Sequence, residues 1–264
     1  MKQEQVERFR LWVEEYSSRF LGDDEYVNIH IRLKQEHTKR TCEEILFLAD
    51  QLALEESQKY LAEVIALFHD IGRFPQFAQY RTYKDLRSVD HCRLGVEVLA
   101  QEGILGSLRR EEKQWVETAV EHHGRKSLPP DLKGQALLFT KLIRDADKLD
   151  IYRIIVTNYR SYHRDPARYS FEIELPDEPG YSPAVLDAVL SGRIVDYHDL
   201  RTMNDMKLCQ LGWVYDVNFA ATLERLRQRG YIEELLGLLP QTNELQRIRQ
   251  KILEHIESRL APVP

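Results

Sequence analysis

The chain has 264 residues, with 37 Lys and Arg against 43 Asp and Glu, a formal net charge of −6. That length suits one large domain or a core domain with an appendage. A mildly acidic balance argues against a protein held to long nucleic acid or a membrane surface by bulk charge, while local basic groups in a cleft can still receive a small anionic substrate. Cys42, Cys92 and Cys209 are too few for a disulfide framework, and none forms a CxxC pair. The start, MKQEQVERFRLWVEEY, is charged and helical in pattern rather than a signal peptide. No apolar run approaches the length that crosses a bilayer, so a cytoplasmic location is the default expectation.

In chain order, Val6, Phe9, Val13, Tyr16 and Phe20 give residues 1–21 a helical stripe. A second helix is expected at about 32–53. A third, at about 57–70, carries Leu61, Val64, Ile65 and Phe68 on one face and ends at Gly72, which reads as its C′ residue. An irregular, aromatic-rich connection, RFPQFAQYRTYKDLRSVD, leads to a helix that starts at His91 and is capped by Ser88 or Asp90. Helices at about 110–123 and 134–152 follow, separated by the breaker KSLPPDLKG. The stretch 160–181 holds the strand-like run FEIEL, Pro176 and Pro179, and reads as an insertion or short hairpin. Helices are expected again at about 182–191, 199–229, 231–238 and 243–260. The expected fold is all-α, with a core over residues 1–155 and a helical extension over 156–264. The amphipathic helices at the two ends could pair with another subunit, which makes a homo-oligomer one expectation.

Against this helical background stand His37, the pair His69–Asp70, His91, His122 and Asp147, each on or at the end of an amphipathic segment. Histidine and aspartate are poor helix-core residues unless something there needs them, and a divalent first-row metal is the simplest such need. His69 lies four residues after Ile65, so it continues the inward stripe, and Asp70 follows about 100° further round. A carboxylate can give one oxygen to each of two ions, which makes a vicinal His-Asp a compact bridge. A second such pair, His198–Asp199, lies in SGRIVDYHDLRTM and reads as a loop entering a helix rather than as ligands. Two choices stay open on periodicity. His123 shares a stripe with Val116 and Val120, whereas His122 aligns with Trp115 and Ala119. Asp145 and Asp147 both follow apolar residues.

The order H…HD…H…H…D, in KQEHTKRT, ALFHDIGRFPQF, SVDHCRLGVEVL, VEHHG and IRDADKLD, resembles the HD superfamily of metal-dependent phosphohydrolases over roughly residues 30–155. The segment LGWVYDVNFAATLERL is similar to the helical tail of a bacterial subgroup. The resemblance implies an HD helical bundle in which His37, His69, Asp70 and Asp147 hold a first divalent ion. Asp70 then bridges to a second ion on His91 and His122; the family pattern favours His122 over His123, and the ADKL context favours Asp147 over Asp145. Asp150 is expected to support the site or lie on the helix surface. One or two ions are implied, with Mn, Fe, Ni, Co, Zn and Mg all compatible.

Such a centre lowers the pKa of a water and draws charge from phosphate oxygens, and phosphoryl transfer asks the protein mainly for positioning and charge. Asp70, Arg73 and Lys148 are therefore the catalytic candidates, with Arg125, Lys126 and Arg144 as further basic neighbours. Phe74, Phe77, Tyr80 and Tyr83, with Arg81 and Lys84, could stack a base or sugar and hold a phosphate, or could be packing. The chain lacks the GYP signature that follows the histidine pair of HD-GYP hydrolases, since HHGRKSLPP stands there. It also lacks the acidic pair of guanosine-alarmone hydrolases, having Ile71, Gly72 and Arg73 after the HD pair. The expected activity is hydrolysis of a nucleotide or other small phosphate ester. The alternatives are a metal- and nucleotide-binding regulator without turnover, and a di-iron HD oxygenase.

Overall fold

The computed structural model describes residues 1–165 and 175–261, and all regular structure among these is helical. The expected insertion near 160–181, with FEIEL, lies largely outside the described residues. The chain forms two compact units, residues 1–150 and 151–264, divided inside a long helix.

The first unit contains α1 (Gln3–Ser18), α2 (Glu25–Gln51), α3 (Glu56–Phe68), α4 (Arg73–Tyr80), α5 (His91–Gln101), α6 (Arg110–His122) and the first part of α7 (Gly134–Arg164). Its centre is α3, in which every residue from Leu61 to Phe68 is buried. Only Glu63 in this run is polar, and a stretch so nearly apolar on all sides can only be an interior element. Helices α1, α2 and α6 pack around it. The apolar stripe of α1 is used inside the unit, where Phe9 and Trp12 meet the edge of Phe68 at ring distances of 5.5 and 5.8 Å. Because α3 ends at Phe68 while still inside the core, the next two side chains, His69 and Asp70, lie in the interior.

Two local expectations differ from what forms here. The aromatic connection is a helix over Arg73–Tyr80. Pro75 sits in its first turn, where the amide that proline lacks has no intrahelical partner to lose. Gly72 is not a left-handed C′ residue but lies at φ −70° as the N-cap of α4. Its reason is space: a Cβ there would stand 2.3 Å from the carbonyl oxygen of His91 and 2.6 Å from the amide of Gly95. The glycine lets α5 approach the His69–Asp70 turn backbone to backbone. Asp90 caps α5, accepting from the amides of Cys92 and Arg93 at 3.0 and 3.1 Å.

The second unit holds the rest of α7, then α8 (Pro183–Leu190), α9 (Met203–Gly212), α10 (Ala220–Gln228), α11 (Tyr231–Gly237) and α12 (Asn243–Leu260). Helix α7 runs on past the expected end near 152 to Arg164. The helix expected at 199–229 is broken between α9 and α10 by a single turn, Trp213–Asp216, followed by extended Val217. Arg259 holds the break open by donating to the carbonyls of Val217 and Asn218 at 3.2 and 2.9 Å. Helix α12 buries Leu245, Ile248, Ile252 and Ile256 and packs on α8 and α10. Its apolar face, like that of α1, is covered within its own unit.

Candidate metal centre

Five helix positions converge inside the first unit. His37 comes from the middle of α2, His69 and Asp70 from the end of α3, His91 from the first residue of α5, His123 from the end of α6 and Asp147 from α7. The four imidazoles and Asp70 are buried, with no more than 6 % of any of these residues exposed. Asp147 is the open member, its side chain 17 % exposed.

Each histidine has one ring nitrogen committed to a protein acceptor. His37 Nδ1 donates to Asp150 Oδ2 at 2.7 Å and His91 Nδ1 to Asp85 Oδ2 at 2.7 Å. His69 and His123, both at helix ends, donate Nδ1–H to the carbonyls three residues back, Ala66 and Val120, at 2.7 and 2.8 Å. These bonds fix the tautomer and leave every Nε2 with its lone pair facing inward. The inward nitrogens meet in pairs: His37 and His69 at 3.2 Å, His91 and His123 at 3.3 Å. Two lone pairs so close repel unless a proton or a metal ion lies between them.

Asp70 divides its carboxylate between the pairs. Oδ2 is 3.5 Å from His37 Nε2 and 3.6 Å from His69 Nε2. Oδ1 is 3.6 Å from His91 Nε2 and 3.5 Å from His123 Nε2. Asp147 Oδ1 completes the first group at 3.1 Å from His37 Nε2 and 3.8 Å from His69 Nε2. Ligand atoms about 2.1 Å from one ion stand about 3.0 to 3.4 Å apart at right-angle to tetrahedral geometry. The observed separations match that range or exceed it by a few tenths of an ångström, so the residues fit divalent ions of the His/carboxylate type.

Protons compete with metal for the same positions. Burial and the Lys34 charge push the His37 imidazole down, but its bonds to Asp147 and Asp150 prevail and raise its pKa. Burial lowers His69 to about 4. Burial also disfavours charge on His123, yet Cys92 and Asp70 lift it well above the ordinary histidine value. Against the same desolvation, Asp70 is held well below the carboxylate range by Lys34, His69 and His123. Asp147 is lowered by His37. The cluster thus keeps its carboxylates ionised, favours a proton on His37 and His123 and disfavours one on His69.

Around this cluster the sequence-derived candidates separate. His37, His69, Asp70, His91 and Asp147 come together, but His122 does not join them: the side chain that enters is His123. The reason lies in α6, whose buried stripe is Val116, Ala119, Val120, while Trp115, on the His122 side, is only half-buried. Arg144 is spent on structure, its Nη1 donating to the carbonyls of His122, His123 and Arg125 at 3.3, 3.0 and 2.5 Å. That clamp holds the helix end from which His123 projects. Arg125 pairs with Asp90 at 2.9 Å. Phe74 and Phe77 are buried packing, Phe77 stacking on His30 at 4.1 Å, and Arg81 pairs with Asp24. Lys148 is half-buried beside Asp147. His198, its side chain 83 % exposed, bonds to Asp196 at 2.9 Å in a short turn.

Sequence reasoning missed Lys34 and Asp85. Lys34 Nζ lies 2.5 Å from Asp70 Oδ2, one helical turn before His37 on the same face of α2. Asp85 holds His91 through Oδ2 and accepts from Arg73 Nη1 and Gln76 Nε2, both at 2.8 Å, through Oδ1. Burial pushes the Asp85 carboxyl up, but His91 and Arg73 hold it at about 2. Asp150, 1 % exposed, does the equivalent for His37 and also binds Arg40 at 2.5 and 2.9 Å.

The class these features define is a helical domain with a metal-type cage of histidine and aspartate at its centre. Comparison with protein families adds that residues 35–152 match the HD domain model, so this segment of the chain is an HD domain. Comparison with curated proteins and with solved structures gives no significant match. The matched segment begins two residues before His37 and ends two after Asp150, so it spans the whole cluster.

Proposed function

We propose that this HD protein is a metal-dependent phosphohydrolase acting on a nucleotide or another small phosphate ester at a binuclear centre. His37, His69, Asp70 and Asp147 would hold one divalent ion, and Asp70, His91 and His123 the other. The observation that carries this reading is the division of the Asp70 carboxylate, one oxygen toward each pair of inward-facing imidazoles. A regulator that only senses a nucleotide has less use for a complete and symmetrically braced set of ligands.

Ions bound there would lower the pKa of a water and draw charge from the phosphate oxygens. The chain's own residues would do the positioning. Lys34, Arg73 and Asp147, with side chains 20, 16 and 17 % exposed, form the open edge of an otherwise closed cluster, so a substrate reaches the centre past them. Lys34 and Arg73 place positive charge where a phosphate would arrive, and both cations lie over the ring of Tyr83, at 5.3 and 5.8 Å. Arg73 Nη1 is engaged with Gln76, Tyr83 O and Asp85, while its buried Nε lies 3.5 Å from Asp70 Oδ1 without a hydrogen bond. Arg73 therefore acts on Asp70 by charge and holds the 83–85 segment against the centre. Lys148, next to Asp147, is assigned a supporting charge.

The test is turnover of a panel of phosphomonoesters and cyclic nucleotides with Mn²⁺, Fe²⁺, Ni²⁺ or Mg²⁺ added. Hydrolysis that disappears in Asp70→Ala is the expected result. Metal and nucleotide binding without turnover across the panel would favour the sensor, and oxygen consumption on an alcohol substrate would favour the di-iron oxygenase.

A further inference from the structure

We propose that Cys92 supplies a sulfur ligand to the ion held by His91 and His123, which biases that half of the centre toward a thiophilic metal such as zinc or cobalt. The inference rests on the binuclear reading above and concerns a residue outside the His/Asp pattern. Cys92 is 2 % exposed, and its sulfur lies 3.4 Å from His91 Nε2, a nitrogen that faces the ion; its 3.6 Å approach to His123 is to Nδ1, the ring nitrogen that donates to Val120. The thiol thus touches both rings of the pair, and His91, Cys92 and His123 each bring a possible ligand atom within 4.8 Å of the others. A thiolate about 2.3 Å and an imidazole about 2.05 Å from a tetrahedral zinc stand about 3.6 Å apart, within a few tenths of an ångström of the 3.4 Å to His91 Nε2.

The backbone places the sulfur there by construction. Cys92 follows His91 in the first turn of α5, and its amide is tied to the Asp90 cap at 3.0 Å. Opposite stands Gly124, where a Cβ would lie 3.0 Å from the Cys92 sulfur and 3.2 Å from His91 Cε1. The chain leaves room beside these two atoms that any other residue would crowd. A buried cysteine serving only as a small apolar residue looks different: the Cys42 sulfur makes a long contact, 4.0 Å, with the Glu63 carbonyl.

Sulfur changes selectivity for a definite reason. Oxygen and imidazole donors accept magnesium, manganese and the later metals alike, whereas a thiolate favours the softer ions. On binding, the thiol proton passes to solvent and the new sulfur–metal bond replaces it, with no change of oxidation state. With Asp70 Oδ1, His91 and His123, a Cys92 thiolate gives the second ion four protein donors. The first ion keeps its donors of nitrogen and oxygen only.

The experiment loads the full-length, metal-free protein with Co²⁺ and records stoichiometry together with the near-ultraviolet thiolate-to-cobalt charge-transfer band. The band is expected in the wild type and in Cys42→Ser and Cys209→Ser, and is expected to vanish in Cys92→Ser. Zinc X-ray absorption should likewise show a scatterer at about 2.3 Å that is lost in the same variant. Two bound cobalt ions with no such band would overturn the sulfur ligand and leave the binuclear centre standing. A band that survives in Cys92→Ser would overturn it as well. Failure to bind either metal would overturn both readings together.

Discussion

Asp85 and Asp150 brace different halves of the centre, which makes them a matched pair of perturbations. Asp85 accepts the Nδ1–H of His91 and Asp150 that of His37, each at 2.7 Å. Neither reaches an inward nitrogen, so each should act on one ion through one imidazole. Replacing such a partner typically weakens metal binding about 10- to 100-fold, or about 1.4 to 2.8 kcal/mol. The two should sit at opposite ends of that range. The side chain of Asp85 is 36 % exposed, so water can take over part of its work, and Asp85→Asn is expected to cost about tenfold. Asp150 is 1 % exposed and also pairs with Arg40, so Asp150→Asn leaves a partly buried guanidinium short of its charge partner and should approach about 100-fold. Calorimetric titration of metal-free protein with Zn²⁺ or Mn²⁺ resolves the two ions. Asp85→Asn should weaken the second and spare the first, and Asp150→Asn the reverse. Equal weakening of both ions by either variant, or no weakening by either, would refute the reasoning.

Other outcomes follow from the same geometry. His123→Ala is expected to remove one ion per chain, whereas His122→Ala keeps both, as read by elemental analysis of the purified variants. Gly72→Ala should destabilise the fold by at least the roughly 1 to 3 kcal/mol of an overpacked core, because its Cβ would meet backbone of His91 and Gly95. Gly106→Ala, with open space around it, should be near neutral in the same denaturant titration. Metal-free protein should lose stability on acidification through His69. The folded imidazole titrates near 4 and the unfolded one near 6.5, so the unfolded state binds the extra proton first and stability falls between those values. His69→Gln should flatten that part of the stability–pH curve.

How far the sequence reaches is clearest at single residues. His37, His69, Asp70, His91 and Asp147 were readable because polar, metal-type side chains stood at inward helix positions where apolar ones are the rule. His122 and His123 were not separable, because an apolar stripe more than about 100° wide admits either neighbour; only the packing of Val116 and Val120 decides it. Asp85 and Lys34 escaped for another reason. Their roles depend on which elements lie across from them, and a charged residue next to a helix reads as solvated until its partner is known. Helix α4 was hidden by Pro75 and by its run of aromatic residues, and the reason for Gly72 lies entirely in the approach of α5. The substrate is less legible still: Lys34, Arg73 and Tyr83, the residues proposed to meet it, come from separate segments.

The central claim is that Asp70 bridges two ions. Anomalous diffraction from crystals of the Mn²⁺- or Zn²⁺-loaded protein tests it most directly. Two peaks about 3.5 to 4 Å apart, one between Asp70 and the His37–His69 pair and one between Asp70 and the His91–His123 pair, are expected. A single peak, or peaks that leave either Asp70 oxygen without a metal, would contradict it.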